Sequence, residues 1–399
     1  MLSRRHLIAG GATLAGVAAS GLGRAQAATP IKIGTIMPFS GPASSYGTMG
    51  QTEAAYFKMI NEQGGINGRL VEFIAYDDGY SPPKTVERAR QLVENDQVLA
   101  ILSPIGTAGN TAIRKYMNSK KVPHLFVGSG ASKWGDPQNF PWTMGWQPTY
   151  ATEGGIYARY VLEKVANPKI AILYQNDDVG KDYLTGFKDA LGAKASALVV
   201  AEASYEITDT VIFSQLPAFK ASGANVLLLI SLNKATAQVL RGVRDINWDV
   251  EFIVSSVGTS VVSALQPVGL DRAKGVVSAF YAKDPADVQW QEAADYKQWL
   301  AFMRKYYPSG NVKDLNNAYG YAFAVLMTQV LRQCGSEVTR QNIMRQAANL
   351  KDVELPMLLP GIKINTSPTD FFPIEQMRMA RFDGEKWALF GDLLSPPRA

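Results

Sequence analysis

The sequence predicts an α/β protein with two lobes, each built around a parallel central sheet. Short apolar segments alternate with amphipathic segments of helical length, which is the pattern of repeated βαβ units. The alternation forms two blocks, at about residues 30–147 and 148–280. The chain has 399 residues, of which 47% are apolar and 19% are charged. This length and composition suit two globular domains with large cores.

The first block predicts four strands separated by helices. The predicted strands are Ile31–Met37, Leu70–Tyr76, Val98–Leu102 and His124–Val127. A helix over Gly47–Gln63 is ended by Gly64-Gly65. A second helix begins after Ser81, a typical N-cap residue, with Pro82 at its first position. A third helix is predicted over residues 107–118.

The second block repeats the alternation, and the last third departs from it. The predicted strands are Lys169–Tyr174, Leu198–Ala203, Asn225–Ile230 and Glu251–Ser255, and the predicted helices are Gly180–Leu191, Phe213–Ser222 and Lys234–Arg244. The unbroken apolar run at Asn225–Ile230 indicates a strand covered on both faces. Three further helices and a hairpin are predicted at Asp287–Tyr307, Leu315–Gln333, Thr339–Ala348, and Gln376–Phe382 with Lys386–Phe390. The hairpin turn contains Asp383-Gly384, a pair that suits a tight turn.

The N-terminus has the three regions of a secretory signal. Twin arginines, Arg4-Arg5, precede a weakly apolar stretch at Leu7–Leu22, and Ala25-Gln26-Ala27 supplies a small-x-small cleavage pattern. The paired arginines resemble a Tat export signal. We therefore expect residues 1–27 to be removed near Ala27, and the mature protein to lie in the periplasm without a membrane anchor.

Charge and rare residues exclude several function classes. The formal net charge is 40 − 35 = +5, and it falls to 37 − 35 = +2 without residues 1–27, which disfavours a nucleic-acid partner. Cys334 is the one cysteine, and the two histidines are His6 and His124. A Cys/His zinc site is therefore excluded, and a catalytic triad would depend on His124 alone. Gly128-x-Gly130 lacks the third glycine of a dinucleotide fingerprint. We predict no catalytic residue, no metal and no cofactor.

Two loops after predicted strands have the chemistry of a carboxylate site. Ser103–Thr107 and Gly128–Ser132 combine small residues, which expose the backbone, with hydroxyl groups. Ligands bind at the carboxyl ends of parallel strands, where helix N-termini favour anions. Ordinary turns are the alternative interpretation of these loops. Tyr150 is a candidate for the apolar wall of the same pocket.

Three motifs then point to a known family. Phe39–Gly47, Asn61–Gly68 and Tyr76–Pro82 resemble the leucine/isoleucine/valine-binding family, the periplasmic substrate-binding components of branched-chain amino-acid-type ABC transporters. The resemblance implies a type I periplasmic binding protein fold, with two Rossmann-like lobes joined by a three-strand hinge. It implies a first lobe of residues 28–147 plus 281–375 and a second of residues 148–280 plus 376–399. It also implies a monomer that closes on its ligand and delivers it to a membrane permease.

The resemblance assigns ligand-binding positions one at a time. The assigned residues are Tyr46, Gly106 and Thr107, then Gly130, Ala131 and Ser132 on the second carboxylate loop, and Val179 and Ser256 in the second lobe. Two departures concern the ligand. The segment around Ser256 has no acid to pair with an ammonium group, and Val179 replaces an aromatic residue. The ligand is therefore expected to be a small carboxylate, either amino-acid-like or an aromatic or other organic acid. The two departures favour the organic acid, with a bulkier apolar body and no ammonium, unless Glu153 or Asp178 reaches the cleft.

Three functions remain open at this point. The first is a solute receptor of an ABC importer. The second is a periplasmic ligand-sensing module of the same fold. The third is a periplasmic enzyme that uses a pair of carboxylates as acid and base.

Overall fold

A computed structural model describes residues 29–395, and the predicted signal segment lies outside the described residues. The first sheet has five parallel strands in the order β2-β1-β3-β4-β5. These strands are β1 (Ile31–Met37), β2 (Val71–Asp77), β3 (Ala100–Leu102), β4 (His124–Val127) and β5 (Thr143–Gly145).

The second sheet has seven strands in the order β12-β11-β10-β9-β8-β6-β7. They are β6 (Ile170–Gln175), β7 (Val199–Tyr205), β8 (Val226–Ile230), β9 (Glu251–Val254), β10 (Val277–Phe280), β11 (Met377–Phe382) and β12 (Trp387–Leu394). Strands β6 to β10 are parallel, and the β11–β12 hairpin adds to β10 in antiparallel register. The predicted class, α/β with two mostly parallel sheets, is confirmed.

Twelve helices flank the two sheets in the described chain. They are α1 (Thr48–Glu62), α2 (Pro82–Arg90), α3 (Thr107–Ser119), α4 (Tyr150–Lys164), α5 (Asp178–Leu191), α6 (Ala195–Leu198), α7 (Leu216–Ala221), α8 (Asn233–Asp245), α9 (Leu270–Ala273), α10 (Ala294–Tyr306), α11 (Leu315–Gln333) and α12 (Arg340–Ala347). Among the described residues, no helix combines the length and apolar character needed to cross a membrane.

The chain passes between the two sheets three times. It leaves the first sheet after β5 and leaves the second after β10, when α10 and α11 pack against α1. It returns to the second sheet at β11. We call the first sheet with α1–α3 and α10–α12 the first lobe, and the second sheet with α4–α9 the second lobe. The predicted lobe boundaries themselves stay a prediction.

The core lies between each sheet and its helices. All five residues of β8, Val226–Ile230, are buried, as the unbroken apolar run predicted. Full burial of one such side chain contributes about 1.5–3 kcal/mol. The central strands therefore form a rigid frame that fixes the loops at their ends.

The sequence pattern missed five of the strands and helices described above, and one helix begins later than predicted. The unpredicted elements are β5, α4, β10 and the two four-residue helices α6 and α9. Helix α4 contains Gly154-Gly155, which lowers its helix propensity. A Cβ at Gly154 would lie 2.4 Å from the backbone oxygen of Tyr183 on α5, so close packing of the two helices requires glycine there. The helix predicted from Asp287 begins at Ala294, because Asp287 instead caps a separate short 3-10 turn.

Ser81 stands at the N-cap of α2 as predicted, but its side chain makes no capping hydrogen bond. Pro82 and Pro83 follow it, and neither has an N–H to cap. The nearby buried carboxylate of Asp78 instead accepts from the Thr85 hydroxyl at 2.6 Å and from the Tyr80 N–H at 2.8 Å. The hydrogen bonds to Asp78 therefore stabilise the loop that contains the Tyr76–Pro82 motif.

Candidate ligand-binding cleft

A cavity lies between the two lobes at the carboxyl ends of both sheets. Its lining comes from the loops that follow β1 to β6 and β8 to β10, and from the start of α11. The lining residues are Tyr46, Met49, Tyr80, Ile105, Gly106, Gly128, Gln147, Tyr150, Val179, Leu232, Asn233, Ser256, Val257, Thr259, Ser260, Tyr281, Leu315, Asn316, Tyr319 and Phe323. This is where parallel α/β sheets bind their ligands.

The lining of the cavity is uncharged and the space is narrow. None of the lining residues is Asp, Glu, Lys or Arg. The centre of a water molecule can occupy about 50 Å³ of the cavity. Tyrosine rings occupy much of the wall, so the pocket offers hydroxyl groups and apolar surface rather than formal charge. A small molecule with one charged end and an apolar body is the kind of ligand that such a lining suits.

The first-lobe wall presents the N-terminus of α3. Gly106 stands at the N-cap with a φ of 103°, and no side-chain oxygen caps this helix. The first N–H groups of an α-helix have no partner within the helix, so this end offers open donors and the positive end of the helix dipole. A Cβ at Gly106 would lie 2.6 Å from the Tyr80 ring. Glycine therefore lets Tyr80 pack directly over the helix end.

Tyr150 brings its hydroxyl to the polar groups that follow β3 and β4. Burial raises the pKa of Tyr150 to about 12, and hydrogen bonding with the Gly130 backbone and the Ser129 and Thr107 hydroxyls opposes that rise. Thr107 Oγ1 and Ser129 Oγ are 2.7 Å apart. The Tyr150 ring stacks on Tyr183 with centroids 4.5 Å apart. Tyr150 lines the cavity, and a tyrosine hydroxyl can donate as well as accept, so it can serve as a donor to a ligand oxygen.

On the second-lobe wall, acidic side chains of the protein already accept hydrogen bonds from the nearby N–H and hydroxyl donors. Glu153 accepts from the Ser256 N–H and from the Ser256 hydroxyl, both at 2.7 Å, and from the Tyr157 hydroxyl at 2.6 Å. Burial raises the pKa of Glu153, and these hydrogen bonds oppose the rise. Asp177 caps α5 by accepting from the N–H groups of Val179 and Gly180. These donors are therefore not free for a ligand.

Direct contacts join the two lobes across the cleft. The Tyr46 hydroxyl donates to the Val257 carbonyl at 2.5 Å and accepts from the Asn233 N–H at 3.2 Å. At the outer rim, Asp182 Oδ2 accepts from the Ser132 N–H at 2.8 Å and from the Ser132 hydroxyl at 3.0 Å. These contacts hold the lobes together, so the cleft is closed in this structure.

The structure brings five of the predicted site residues to the cavity wall, namely Tyr46, Gly106, Tyr150, Val179 and Ser256. Thr107 and Gly130 are not among the lining residues: Thr107 Oγ1 is hydrogen-bonded with Ser129 Oγ, and Gly130 packs against the Tyr150 ring. Ala131 and Ser132 instead line a separate crevice at the rim, with Asp178 and Asp182 of the second lobe. All nine stay predictions as ligand contacts.

Sequence reasoning missed several wall residues. Tyr80 belongs to one of the three family motifs, and its φ of 61° is unusual for a tyrosine, so the motif was a usable signal. Tyr319 and Phe323 lie on α11, far along the chain from any strand end of the first block. No local pattern marks them, because only the second passage between the lobes, after β10, brings α11 to the cleft.

Residues 29–395 give little support to a metal site or to a catalytic triad around His124, the alternatives to a binding cleft. No group of three or more His, Cys, Asp or Glu side chains in this part of the chain could hold a metal ion. Burial lowers the pKa of His124 to about 3, so the ring is neutral. Its Nε2 lies 2.7 Å from Asn110 Oδ1. His124 is thus a packed structural residue in the first lobe.

Comparisons with known proteins agree with this architecture. A family model described as periplasmic binding protein matches residues 30–386. The Leu/Ile/Val-binding protein of Escherichia coli K12 is 26% identical over 194 residues, which are 48% of this chain and 52% of that protein, so the match spans about half of its length. The Leu/Ile/Val-binding protein homolog 1 of Brucella abortus strain 2308 is 24% identical over 343 residues, covering 83% and 85% of the two chains.

A solved structure shows the same fold over nearly the whole chain. The branched-chain amino acid ABC transporter protein from Thermus thermophilus, solved with bound valine, superposes with a TM-score of 0.82 at 15% identity and covers 92% of this chain and 97% of that one. The two named relatives are binding proteins rather than enzymes.

Proposed function

Because the chain belongs to the periplasmic binding protein family, we propose that it is the solute receptor of an ABC importer. In this proposal it binds a small carboxylate in the cleft between its lobes and delivers it to a membrane permease. Export to the periplasm through the N-terminal signal is part of the same proposal. The family match over residues 30–386 supports the receptor role, and the chemistry of the cleft supports the ligand class.

The main support for the ligand class is the N-terminus of α3, which has no capping side chain and lies at an uncharged cavity. The helix end supplies unpartnered N–H groups and a partial positive charge. The Tyr150 hydroxyl supplies a further donor beside it. Hydrogen bonds from neutral donors to a charged acceptor contribute more than neutral pairs, about 1.5–3 kcal/mol each. A carboxylate can therefore be held at this end without an arginine.

The cavity has no matching place for an ammonium group. No acid lines it, and Glu153 is already engaged by Ser256 and Tyr157. Asp178 lies at the rim, where its Oδ2 pairs with Lys133 Nζ at 2.5 Å. Leaving a buried ammonium without a counter-charge is costly. We therefore favour an organic or aromatic acid over a free amino acid.

In this proposal, the ligand is captured when the two lobes close over it. The Tyr46 and Ser132 contacts across the cleft form only when the lobes approach each other. Hinge closure around a ligand is the motion typical of this fold. We expect ligand binding to shift the population toward the closed form, which small-angle X-ray scattering would record as a smaller radius of gyration.

The deciding experiment is a binding screen with two matched variants. A panel of aromatic acids, short fatty acids, dicarboxylates, amides and amino acids is tested by thermal shift, because a ligand that binds only the folded state raises Tm. The hits are then titrated into wild type, Tyr150→Phe and Tyr183→Phe. The Tyr183 hydroxyl has no hydrogen-bond partner in the described chain, so Tyr183→Phe keeps the ring stack and serves as the control.

We expect an acid without an ammonium group to give the largest shift. Tyr150→Phe should weaken its binding at least tenfold, about 1.4 kcal/mol, and Tyr183→Phe should change it less than twofold. A largest shift with leucine or valine would contradict the proposed ligand class. Equal affinity of the acid for wild type and Tyr150→Phe would contradict the proposed carboxylate position.

A further inference from the structure

Two polar side chains of the first lobe hydrogen-bond to the second lobe across the cleft. Tyr46 lies in the short turn before α1 and lines the cavity. Ser132 follows β4 and lies at the outer rim. The family resemblance predicts both as ligand contacts. Their hydrogen bonds indicate another role, because groups of the protein itself occupy the positions that a ligand carboxylate would need.

The Tyr46 hydroxyl has no proton left for a ligand. A tyrosine hydroxyl donates one hydrogen bond, and Tyr46 donates it to the Val257 carbonyl at 2.5 Å. The same oxygen accepts from the Asn233 N–H at 3.2 Å. Asn233 is the first residue of α8, and the N-cap residue of that helix, Leu232, offers no side-chain acceptor. Tyr46 therefore supplies, from the opposite lobe, an acceptor for an N–H group that has no partner within α8.

Ser132 likewise donates both of its protons to the second lobe. Its N–H and its hydroxyl meet Asp182 Oδ2 at 2.8 Å and 3.0 Å. Asp182 lies on α5, and both residues are half-buried. The carboxylate of Asp182 thus occupies the position that a ligand carboxylate would take, and a second anion there would be repelled. Ser132 is therefore not a carboxylate donor while the lobes are closed.

The loop that carries Ser132 is fixed to the first lobe from within. The Trp134 side chain is 1% exposed, and its Nε1 donates to Ser129 Oγ at 2.9 Å. The Lys133 carbonyl accepts a hydrogen bond from the Arg114 guanidinium. Closure therefore does not have to order this loop, so the hydrogen bonds of Ser132 to the second lobe carry little entropic cost.

We propose that Tyr46 and Ser132 are closure latches, which bind the opposite lobe instead of the ligand and set the affinity for every ligand by the same factor. This inference rests on the proposed function, because it requires that ligands bind the closed form. The apparent dissociation constant is then that of the closed form divided by the fraction of closed molecules. Weaker latches lower this fraction whatever the ligand is. Loss of a ligand contact would instead weaken only ligands that carry the contacted group.

The first test compares acids with their primary amides, in which a neutral group replaces the carboxylate. The probe pairs are benzoate with benzamide and 4-methylpentanoate with 4-methylpentanamide, together with the compound that binds most tightly in the screen. Isothermal titration calorimetry gives affinity and stoichiometry for wild type, Tyr46→Phe, Ser132→Ala and Tyr150→Phe. Lys133→Ala is the matched control, because it lies on the same loop as Ser132 and its ion pair with Asp178 is partly exposed.

We expect Tyr46→Phe to weaken every ligand about tenfold and Ser132→Ala about fivefold, since Ser132→Ala keeps the N–H bond to Asp182. The stoichiometry should not change, which distinguishes weaker closure from loss of folded protein. The ratio of acid to amide affinity should match that of wild type in both variants, whereas Tyr150→Phe should lower it. Lys133→Ala should weaken binding less than threefold. A lower acid-to-amide ratio in Tyr46→Phe or Ser132→Ala would show a direct carboxylate contact and overturn the latch role.

A double-mutant cycle tests Ser132 independently. Asp182→Ala removes the acceptor of both Ser132 donors and should weaken binding about tenfold. If Ser132 acts only through Asp182, adding Ser132→Ala to Asp182→Ala should have no further effect. A further loss as large as that of Ser132→Ala alone would show that Ser132 contacts the ligand itself, and its latch role would be wrong.

Other outcomes separate the inference from the function beneath it. If acids bind as proposed and the latch variants bind them as tightly as wild type, the latches are rejected while the carboxylate receptor stands. If neutral compounds bind more tightly than acids, the proposed ligand class is wrong, but equal losses for all ligands in the variants still support the latches. If no compound binds, the proposed function and the latches are overturned together.

Discussion

The two walls of the cleft are built from the same kinds of element but leave different groups for a ligand. On the first-lobe wall, α3 begins at Gly106 without a side-chain cap. On the second-lobe wall, Asp177 caps α5, and Glu153 takes both donors of Ser256. A strand end followed by a helix is therefore not sufficient for anion binding. The helix end must also be free of the protein's own acids.

This difference predicts distinct roles for the two lobes. We expect the first lobe to hold the charged end of the ligand and the second lobe to supply apolar surface, such as Val179 in the cavity wall, and to close over the ligand. Asp177 and Glu153 should then matter for stability more than for affinity.

The largest effect is expected at Glu153. Glu153→Ala would leave the Ser256 N–H and hydroxyl without their acceptor in the core, whereas the Tyr157 hydroxyl could still donate to the Val254 carbonyl. Unpaired buried donors cost about 1–3 kcal/mol each, so we expect the free energy of unfolding to fall by about 2–6 kcal/mol. Urea unfolding measures it. Glu163→Ala on the same helix, at an exposed position, is the control and should change it by less than about 0.5 kcal/mol. An equal loss in both variants would show that Glu153 does not anchor this wall.

The next largest effect is a pH-dependent change in stability. It is expected at Asp284, which lies where the chain leaves the second lobe. Asp284 is buried, and burial together with the charges of Asp287 and Asp314 raises its pKa to about 7. The unfolded carboxyl ionises near its ordinary pKa of about 4. Stability should therefore fall as the pH rises from about 4 to 7 and stay lower above that range.

Asp284→Asn removes this titration. We expect the variant to be more stable than wild type at pH 8, by about 2 kcal/mol, and no more stable at pH 4. Thermal unfolding at both pH values measures this, with the exposed Asp271→Asn as the control. A gain of the same size at pH 4 would mean that ionisation of Asp284 is not the cause.

The smallest effect, on ligand affinity, is expected for the ion pair between Lys133 and Asp178 at the outer rim of the cleft. Lys133 Nζ and Asp178 Oδ2 join the lobes at 2.5 Å, but their side chains are 33% and 45% exposed. Exposed ion pairs contribute about 0–1 kcal/mol and are screened by salt. Lys133→Ala should therefore weaken ligand binding less than threefold, and raising the salt concentration should reduce even that. A tenfold loss that persists at high salt would show that the rim, rather than the α3 wall, controls closure.

Much of the cleft could be predicted because strand-end loops are local features of the sequence. Tyr46, Gly106 and Val179 were found in this way or through the family motifs, and all three line the cavity. Ser132 shows the limit of this reasoning. The sequence identified it as a hydroxyl on a carboxylate loop, but its hydroxyl and N–H meet Asp182, fifty residues later in the chain. Which carboxylate reaches a donor depends on long-range packing.

The sequence by itself determined the α/β class, ten of the twelve strands described above and several of the loops that face the cleft. Hydrophobic periodicity and turn residues carry this information, and both act within a few residues. Only the tertiary structure decided which hydrogen-bond donors in the cleft have no partner within the protein and remain available to a ligand. Tyr281 and Tyr319 come from two distant segments, and their rings stack in the cavity wall only because the chain returns to the first lobe after β10. Hydrogen-bond partners are set by that packing, and no local pattern records it.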